Sequence, residues 1–253
     1  MKYKIIGSAE EMGRAAAEIF SGMVAQKPDS VLGLATGSTP VPLYAELVRK
    51  YQTGLADFSQ VRTVNLDEYV GLGPEHPQSY RYFMQTQLFD HINIDPANTR
   101  LPDGLAEDLN AACEAYDAQI MAWGGIDLQL LGIGHNGHIG FNEPGTAFTL
   151  KTHVVQIAHR TRLANARFFE DDPEQVPVRA ITMGIGNIMG ARRIVLLVSG
   201  ESKAEILCRA LTGDVTPRVP ASVLQLHPDV TVIADREAAA VIENVPKAAG
   251  FLG

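Results

Sequence analysis

The sequence is poor in cysteine and tryptophan: 253 residues carry Cys113, Cys208 and a single tryptophan. Neither cysteine belongs to a C-x-x-C pair, and each sits among apolar residues in a helix-like run. They therefore read as buried free thiols in a reducing cytoplasm, not as a disulfide framework. Positive charge is also short. Twenty-one Lys and Arg stand against 29 Asp and Glu, for a net charge of −8. An acidic surface argues against nucleic acid or anionic membrane as partners, although a few local cations can still hold a small anion. No 18-residue apolar run occurs, and the N-terminal "MKYKIIGSAEE" has no apolar h-region, so neither a membrane span nor a signal peptide is expected. No H-x-x-x-H or H-E-x-x-H spacing offers a metal site, and no G-x-S-x-G elbow offers a serine nucleophile. Repeats, low-complexity linkers and charge blocks are missing too, which leaves one domain over residues 1–253 as the simplest organisation.

What is present is a hydrophobic content of 46%, enough for a substantial core. "KYKII" reads as a strand, after which Ser8 and Glu11 form a capping box for a helix with Met12, Ala16, Ile19 and Met23 on one face. "SVLGLA", "VRTVNL", "IDLQLLGI", "RRIVLLVSG" and "DVTVIAD" read as further strands. "PLYAELVRKY", "SYRYFMQTQLFDHI", the run marked by Leu109, Cys113, Tyr116 and Ile120, and "ESKAEILCRALTG" read as helices. Alternation of this kind predicts an α/β fold, Rossmann-like but modified, with a mostly parallel central sheet and helices on both faces. Ligands in such sheets bind beyond the carboxyl ends of the strands. Three loops are expected there: "TGSTP", "LDEY" and "GIGHNGHIGFNEPG".

Gly132, Gly134 and Gly137 satisfy G-x-G-x-x-G, but a dinucleotide loop needs a helix to begin at its third glycine. Gly140, Pro144 and Gly145 forbid one, and no strand ending in Asp or Glu follows at the required distance, so no dinucleotide cofactor is expected. The loop instead gathers His135, Asn136, His138, Asn142 and Glu143, which are proton-transfer groups. In "TGSTP", Gly37 with the hydroxyls of Ser38 and Thr39 stands before a helix and suits a phosphate, although an ordinary N-cap turn would look the same. Asp67 and Glu68 close a strand, where a helix cap and a surface carboxylate are the plain alternative. Arg167 and Lys203 are single cations near loop ends, and either could be merely solvated. His153 and His159 read as ordinary strand and helix-start residues.

Taken together, "LGLATGSTP", "NLDEYVGL", "HPQSYRYFM", "GIGHNGHIGFNEPG", "TRLANARFF", "SGESKA" and "ASVLQLHP", in that order from about residue 31 to 229, resemble the glucosamine-6-phosphate deaminase family. The resemblance implies conversion of D-glucosamine 6-phosphate and water to D-fructose 6-phosphate and ammonia, without cofactor or metal. It implies His138 for ring opening, Glu143 as its carboxylate partner, and Asp67 as the base that moves a proton from C2 to C1. It implies the "TGSTP" loop (Gly37, Ser38, Thr39), Arg167 and Lys203 for the phosphate. Many members of the family carry Asp where this chain has Asn136, a position that orients the imidazole; Asn can still accept a hydrogen bond and fix a tautomer. The longer hexameric members are activated by N-acetylglucosamine 6-phosphate through cations after the "NEPG" turn and a C-terminal extension. Here His153 and Val155 stand where cations would be, and the chain ends at Gly253, so activation is not expected, and monomer and homo-oligomer stay open. Two other readings share the expected fold: a 6-phosphogluconolactonase-like hydrolase, which has no use for an aspartate that moves protons between carbons, and a non-catalytic sugar-phosphate sensor.

Overall fold

A computed structural model describes residues 1–145 and 147–242; the chain end at Gly253 lies outside the described residues. The chain runs β1 (Lys2–Ile6), α1 (Ala9–Gln26), β2 (Val31–Leu34), α2 (Val41–Gln52), β3 (Arg62–Asn65) and β4 (Asp67–Tyr69). It continues through α3 (Tyr80–Gln87), β5 (Thr99–Arg100), α4 (Leu109–Ala122), β6 (Leu128–Leu131), β7 (His153–Gln156) and α5 (His159–Asn165). Last come β8 (Arg179–Thr182), α6 (Ile185–Met189), β9 (Ile194–Val198), α7 (Ala204–Thr212), β10 (Val230–Asp235) and α8 (Arg236–Ala239).

Seven strands form one sheet in the order β1-β10-β9-β6-β2-β3-β5, and every pairing in it is parallel. β9 is an apolar run and β10 is largely one, with Thr231 and Asp235 its polar members; both are β-branched over much of their length, and every residue in them is buried. That is what a strand covered on both faces requires. From β1 through β2 and β3 to β5 the chain crosses the sheet one way; through β6, β9 and β10 it returns the other way. Right-handed crossovers then set α1 and α2 on one face and α4 and α7 on the opposite one. The direction changes between β2 and β6, so the loops after these two strands open onto one crevice.

The capping box of α1 closes with a shift. Ser8 accepts the Glu11 N–H at 3.2 Å, but the Glu11 carboxylate takes the N–H of Gly7 at 2.9 Å, one residue before the cap. The buried stripe of α1 includes Met12, Ala16, Phe20 and Val24, whereas Ile19 and Met23 are half-buried. Contacts repeating every fourth residue wind slowly around a helix of 3.6 residues per turn, so the stripe drifts from the one expected. Cys113 is a buried free thiol and Cys208 a half-buried one.

The "LDEY" segment is not a loop. Its last three residues are β4, the edge of a second, antiparallel sheet in the order β4-β8-β7, with Asp67 opposite Thr182. A three-residue strand whose polar residues are buried has no hydropathy alternation to reveal it. The second sheet carries its own small apolar cluster, including Tyr69, Phe141, Phe169 and Val176.

Candidate active site

The loop after β6 folds back on itself where a dinucleotide loop would enter a helix. Gly137 N–H donates to Gly134 O and Gly134 N–H to His138 O, both at 2.9 Å, and Ile139 bridges to Asn142. The imidazole of His138 lies flat against Gly134, where a Cβ would stand 2.2 Å from its ring, so only glycine lets the ring take this position. The far end of the loop is fixed to the second sheet. Phe141 N–H donates to Thr182 Oγ1 at 3.0 Å, and Asn142 Nδ2 to Met183 O at 2.9 Å.

His138 Nδ1 faces Glu143 Oε1 at 3.5 Å. The carboxylate of Glu143 is heavily engaged: Asn136 Nδ2 donates to Oε2 at 2.7 Å and Thr161 Oγ1 to Oε1 at 2.5 Å. Burial alone would push this carboxyl up, but His138, Thr161 and Asn136 together outweigh it and hold it down at about 2. Asn136 does not touch the imidazole through its carbonyl. Asn136 Oδ1 accepts the backbone N–H of His138 at 3.2 Å, and the side chain acts on the ring only through Glu143. The expected contact from residue 136 to the ring is thus replaced by Glu143, because the turn at Gly137 points the ring back over Gly134.

Asp67 is buried and, among the described residues, no donor reaches its carboxylate. Burial, with neighbouring Glu68 second, pushes it up to about 8. It lies at the floor of the same loop: a Cβ on Gly140, whose φ is +56°, would stand 3.5 Å from Asp67 Oδ2. The neighbouring Glu68 is not a surface carboxylate. It is buried and accepts the N–H groups of Tyr69, Tyr80 and Arg81 at 2.8, 2.9 and 2.9 Å, which anchors the start of α3. Burial still dominates and raises its pKa.

Lys203 Nζ donates to Ile133 O at 2.8 Å, which brings its ammonium to the base of the His138 loop. Burial, then the charge of Arg167, lowers it to about 8. Arg167 is exposed on the short 3-10 turn after α5, with its guanidinium over the Phe168 ring at 4.6 Å. His135 is exposed, yet partial desolvation, with Lys203, His138 and Arg160 nearby, pushes it down. In the loop after β2, Gly37 has φ +97°, and the hydroxyls of Ser38 and Thr39 make no hydrogen bond among the described residues. Neither side chain caps α2, so the plain N-cap alternative does not describe this turn. Two side chains escaped the sequence reading, Thr161 and Thr182. Threonine in "HRTRL" or "RAITM" carries no spacing or composition signal; only packing brings either one to the loop.

The fold and these loops bring a buried aspartate, a histidine–glutamate pair and a lysine together at the carboxyl edge of a doubly wound sheet. The sequence pattern of the glucosamine-6-phosphate isomerases/6-phosphogluconolactonase family matches residues 7–233, and the chain belongs to that family. The chain is 54% identical over 244 residues to a glucosamine-6-phosphate deaminase of Thermoanaerobacter pseudethanolicus, covering 96% of each chain. It is 59% identical over 226 residues to that of Lachnoclostridium phytofermentans, covering 89% of this chain and 95% of the relative. A solved structure described as a monomeric glucosamine-6-phosphate deaminase superposes with a TM-score of 0.93 at 48% identity, over 95% of this chain and all of the other. A 6-phosphogluconolactonase of Trypanosoma brucei shares the fold, with a TM-score of 0.75 at 18% identity over 94% of this chain and 97% of the other.

Proposed function

We propose that this chain, as a single domain over residues 1–253, converts D-glucosamine 6-phosphate and water to D-fructose 6-phosphate and ammonia in the cytoplasm. Overall the reaction is hydrolysis of a C–N bond. The observation that carries the reading is the convergence of a buried Asp67, without a hydrogen-bond donor among the described residues, with the His138–Glu143 pair on one loop edge. In the proposed mechanism His138 takes the proton from O1 of the closed sugar and delivers it to O5, which opens the ring. Glu143, ionised at any working pH, holds the imidazole and balances its transient charge. Asp67 removes the C2 proton and returns it to C1, while the C2 ammonium gives up one proton and O1 gains one. The resulting C2 iminium takes up water and expels ammonia.

The perturbation of Asp67 fits this work. An aspartate at its ordinary pKa is a weak base, while burial makes it a stronger one. The ammonium on C2 of the substrate supplies the opposite charge that allows Asp67 to ionise once the sugar is bound. Gly37, Ser38, Thr39, Arg167 and Lys203 would grip the phosphate, a remote handle that orients the reacting carbons. These steps transfer only protons and water, so the reaction calls for neither metal nor cofactor. Incubation with glucosamine 6-phosphate should yield equal amounts of ammonia and fructose 6-phosphate. Exhaustive dialysis against a chelator should leave the rate unchanged; activity lost there and restored by a divalent metal would overturn the mechanism. If 6-phosphogluconolactone is hydrolysed and glucosamine 6-phosphate is not, the lactonase reading replaces this one. Binding of glucosamine 6-phosphate without turnover would make the chain a sensor.

A further inference from the structure

Thr161 has no place in the mechanism above, yet it makes a short bond to its central carboxylate. It is buried, 7% exposed, in the first turn of α5, and its Oγ1 lies 2.5 Å from Glu143 Oε1. That oxygen is also the one that faces His138 Nδ1 at 3.5 Å. Asn136 already occupies Oε2 at 2.7 Å, so the Thr161 hydroxyl and the imidazole share the remaining oxygen. The position of the hydroxyl therefore decides how Oε1 is presented to the ring.

α5 ends at Asn165 and passes without a break into the 3-10 turn Ala166–Phe168, which carries Arg167. Thr161 and Arg167 thus lie on one short, continuously hydrogen-bonded piece of chain. That piece is held from behind by Arg162, whose guanidinium donates to the carbonyls of Pro173 and Val176 at 2.6 and 3.3 Å. A phosphate gripped between Arg167 and Lys203 would fix one end of this piece, and its other end holds the carboxylate.

We propose that Thr161 is a positioning residue through which occupation of the phosphate site by substrate sets the alignment of Glu143 on His138. The proposal rests on the deaminase reading, which wild-type turnover of glucosamine 6-phosphate tests separately. Thr161→Val keeps the shape and removes the hydroxyl. A hydrogen bond to a charged group is worth about 10- to 100-fold in rate, so kcat for glucosamine 6-phosphate should fall by that factor while KM stays within about threefold. Thr161→Ser restores the hydroxyl and should recover most of kcat, which a purely steric role would not. Arg167→Ala should lower kcat as well as raise KM. The combined Arg167→Ala and Thr161→Val variant should lose no more kcat than the worse single variant, because both break the same link. The proposal is overturned if Thr161→Val keeps kcat within twofold of an active wild type, if serine fails to rescue, or if the two losses in kcat multiply. If Thr161→Val does not fold, the serine and Arg167 variants still decide: an unchanged kcat in Arg167→Ala refutes the link.

Discussion

The two carboxylates of the site are displaced in opposite directions, and stability should show it. Asp67 is held at about 8 in the fold against an ordinary 3.8, so its contribution is fully present below pH 3.8 and is lost as pH rises through about 8. Glu143 is held at about 2 against 4.5, so its contribution is present above pH 4.5 and lost as pH falls through about 2. Asp67→Asn should therefore melt higher than wild type at pH 9, by at least ~2 °C for a domain this large, with the gain shrinking toward pH 5. Glu143→Gln should melt lower than wild type at both. Thermal unfolding across that range checks both signs. Asp67→Asn should also abolish turnover while sugar-phosphate binding survives, with solvent deuterium no longer entering carbon-bound positions of the product. Lys203→Ala removes the proposed charge-assisted bond to phosphate and should cut kcat/KM by about 10- to 200-fold. In wild type, KM should rise as pH passes about 8, where Lys203 loses its proton; the variant should lack that limb. Asn136→Asp sets a carboxylate against Glu143 Oε2, where an amide now donates at 2.7 Å. Like charges raise the pKa of Glu143, so the acidic limb of kcat/KM should move to higher pH. Asn136→Leu leaves Oε2 without that donor and should lower kcat outright; an unmoved limb and full rate in both variants would reduce Asn136 to a loop-shaping residue.

Single elements do more than span the distance between sites. α3 begins where Ser79 accepts the Tyr82 N–H at 3.1 Å and Glu68 accepts the N–H groups of Tyr80 and Arg81. A helix start leaves backbone donors without intrahelical partners, and a carboxylate there also meets the positive end of the helix dipole. Because Glu68 adjoins Asp67 on β4, the same residue that anchors α3 also fixes the strand that presents the proposed base. Glu68→Ala should cost about 3 kcal/mol or more, since it leaves buried N–H groups unpaired. Denaturant unfolding would measure this, and a loss below about 1 kcal/mol would mean that solvent or Ser79 already satisfies this helix start.

At the scale of the whole molecule the site is a seam. Asp67 comes from the antiparallel sheet, His138 and Glu143 from the loop that follows a strand of the parallel sheet, and Lys203 from the turn after β9. Thr182 joins the halves: it lies opposite Asp67 on the neighbouring strand, and its hydroxyl accepts the N–H of Phe141 in the loop after β6. Thr182→Val is nearly isosteric and removes that acceptor together with the hydroxyl's long bond to Met183 O at 3.5 Å. It should lower kcat by about tenfold, equivalent to ~1.4 kcal/mol of misalignment, with a smaller effect on KM. Equal loss in both constants would mean that the loop is held by other contacts.

The parallel sheet was legible in the sequence because strands buried on both faces are largely apolar and β-branched, as in "RRIVLLVSG" and "DVTVIAD". The helix after Ser8 was legible because capping is a local bond, although closure of the box on Gly7 was not. The rejection of a dinucleotide loop at Gly137 needed only the helix breakers that follow it. The candidate residues Asp67, His138, Glu143, Arg167 and Lys203 were visible as residue types in loops, with their roles read from family resemblance. Tertiary structure decided what each one faces. It turned Asn136 from the imidazole to Glu143, converted "LDEY" from a loop into a sheet edge, and brought Thr161 and Thr182 to the site. The physical reason is one of range. Strand burial, capping and turn chemistry are written within a few residues, whereas a carboxylate's pKa and its partners depend on groups up to tens of residues away, which no local pattern encodes.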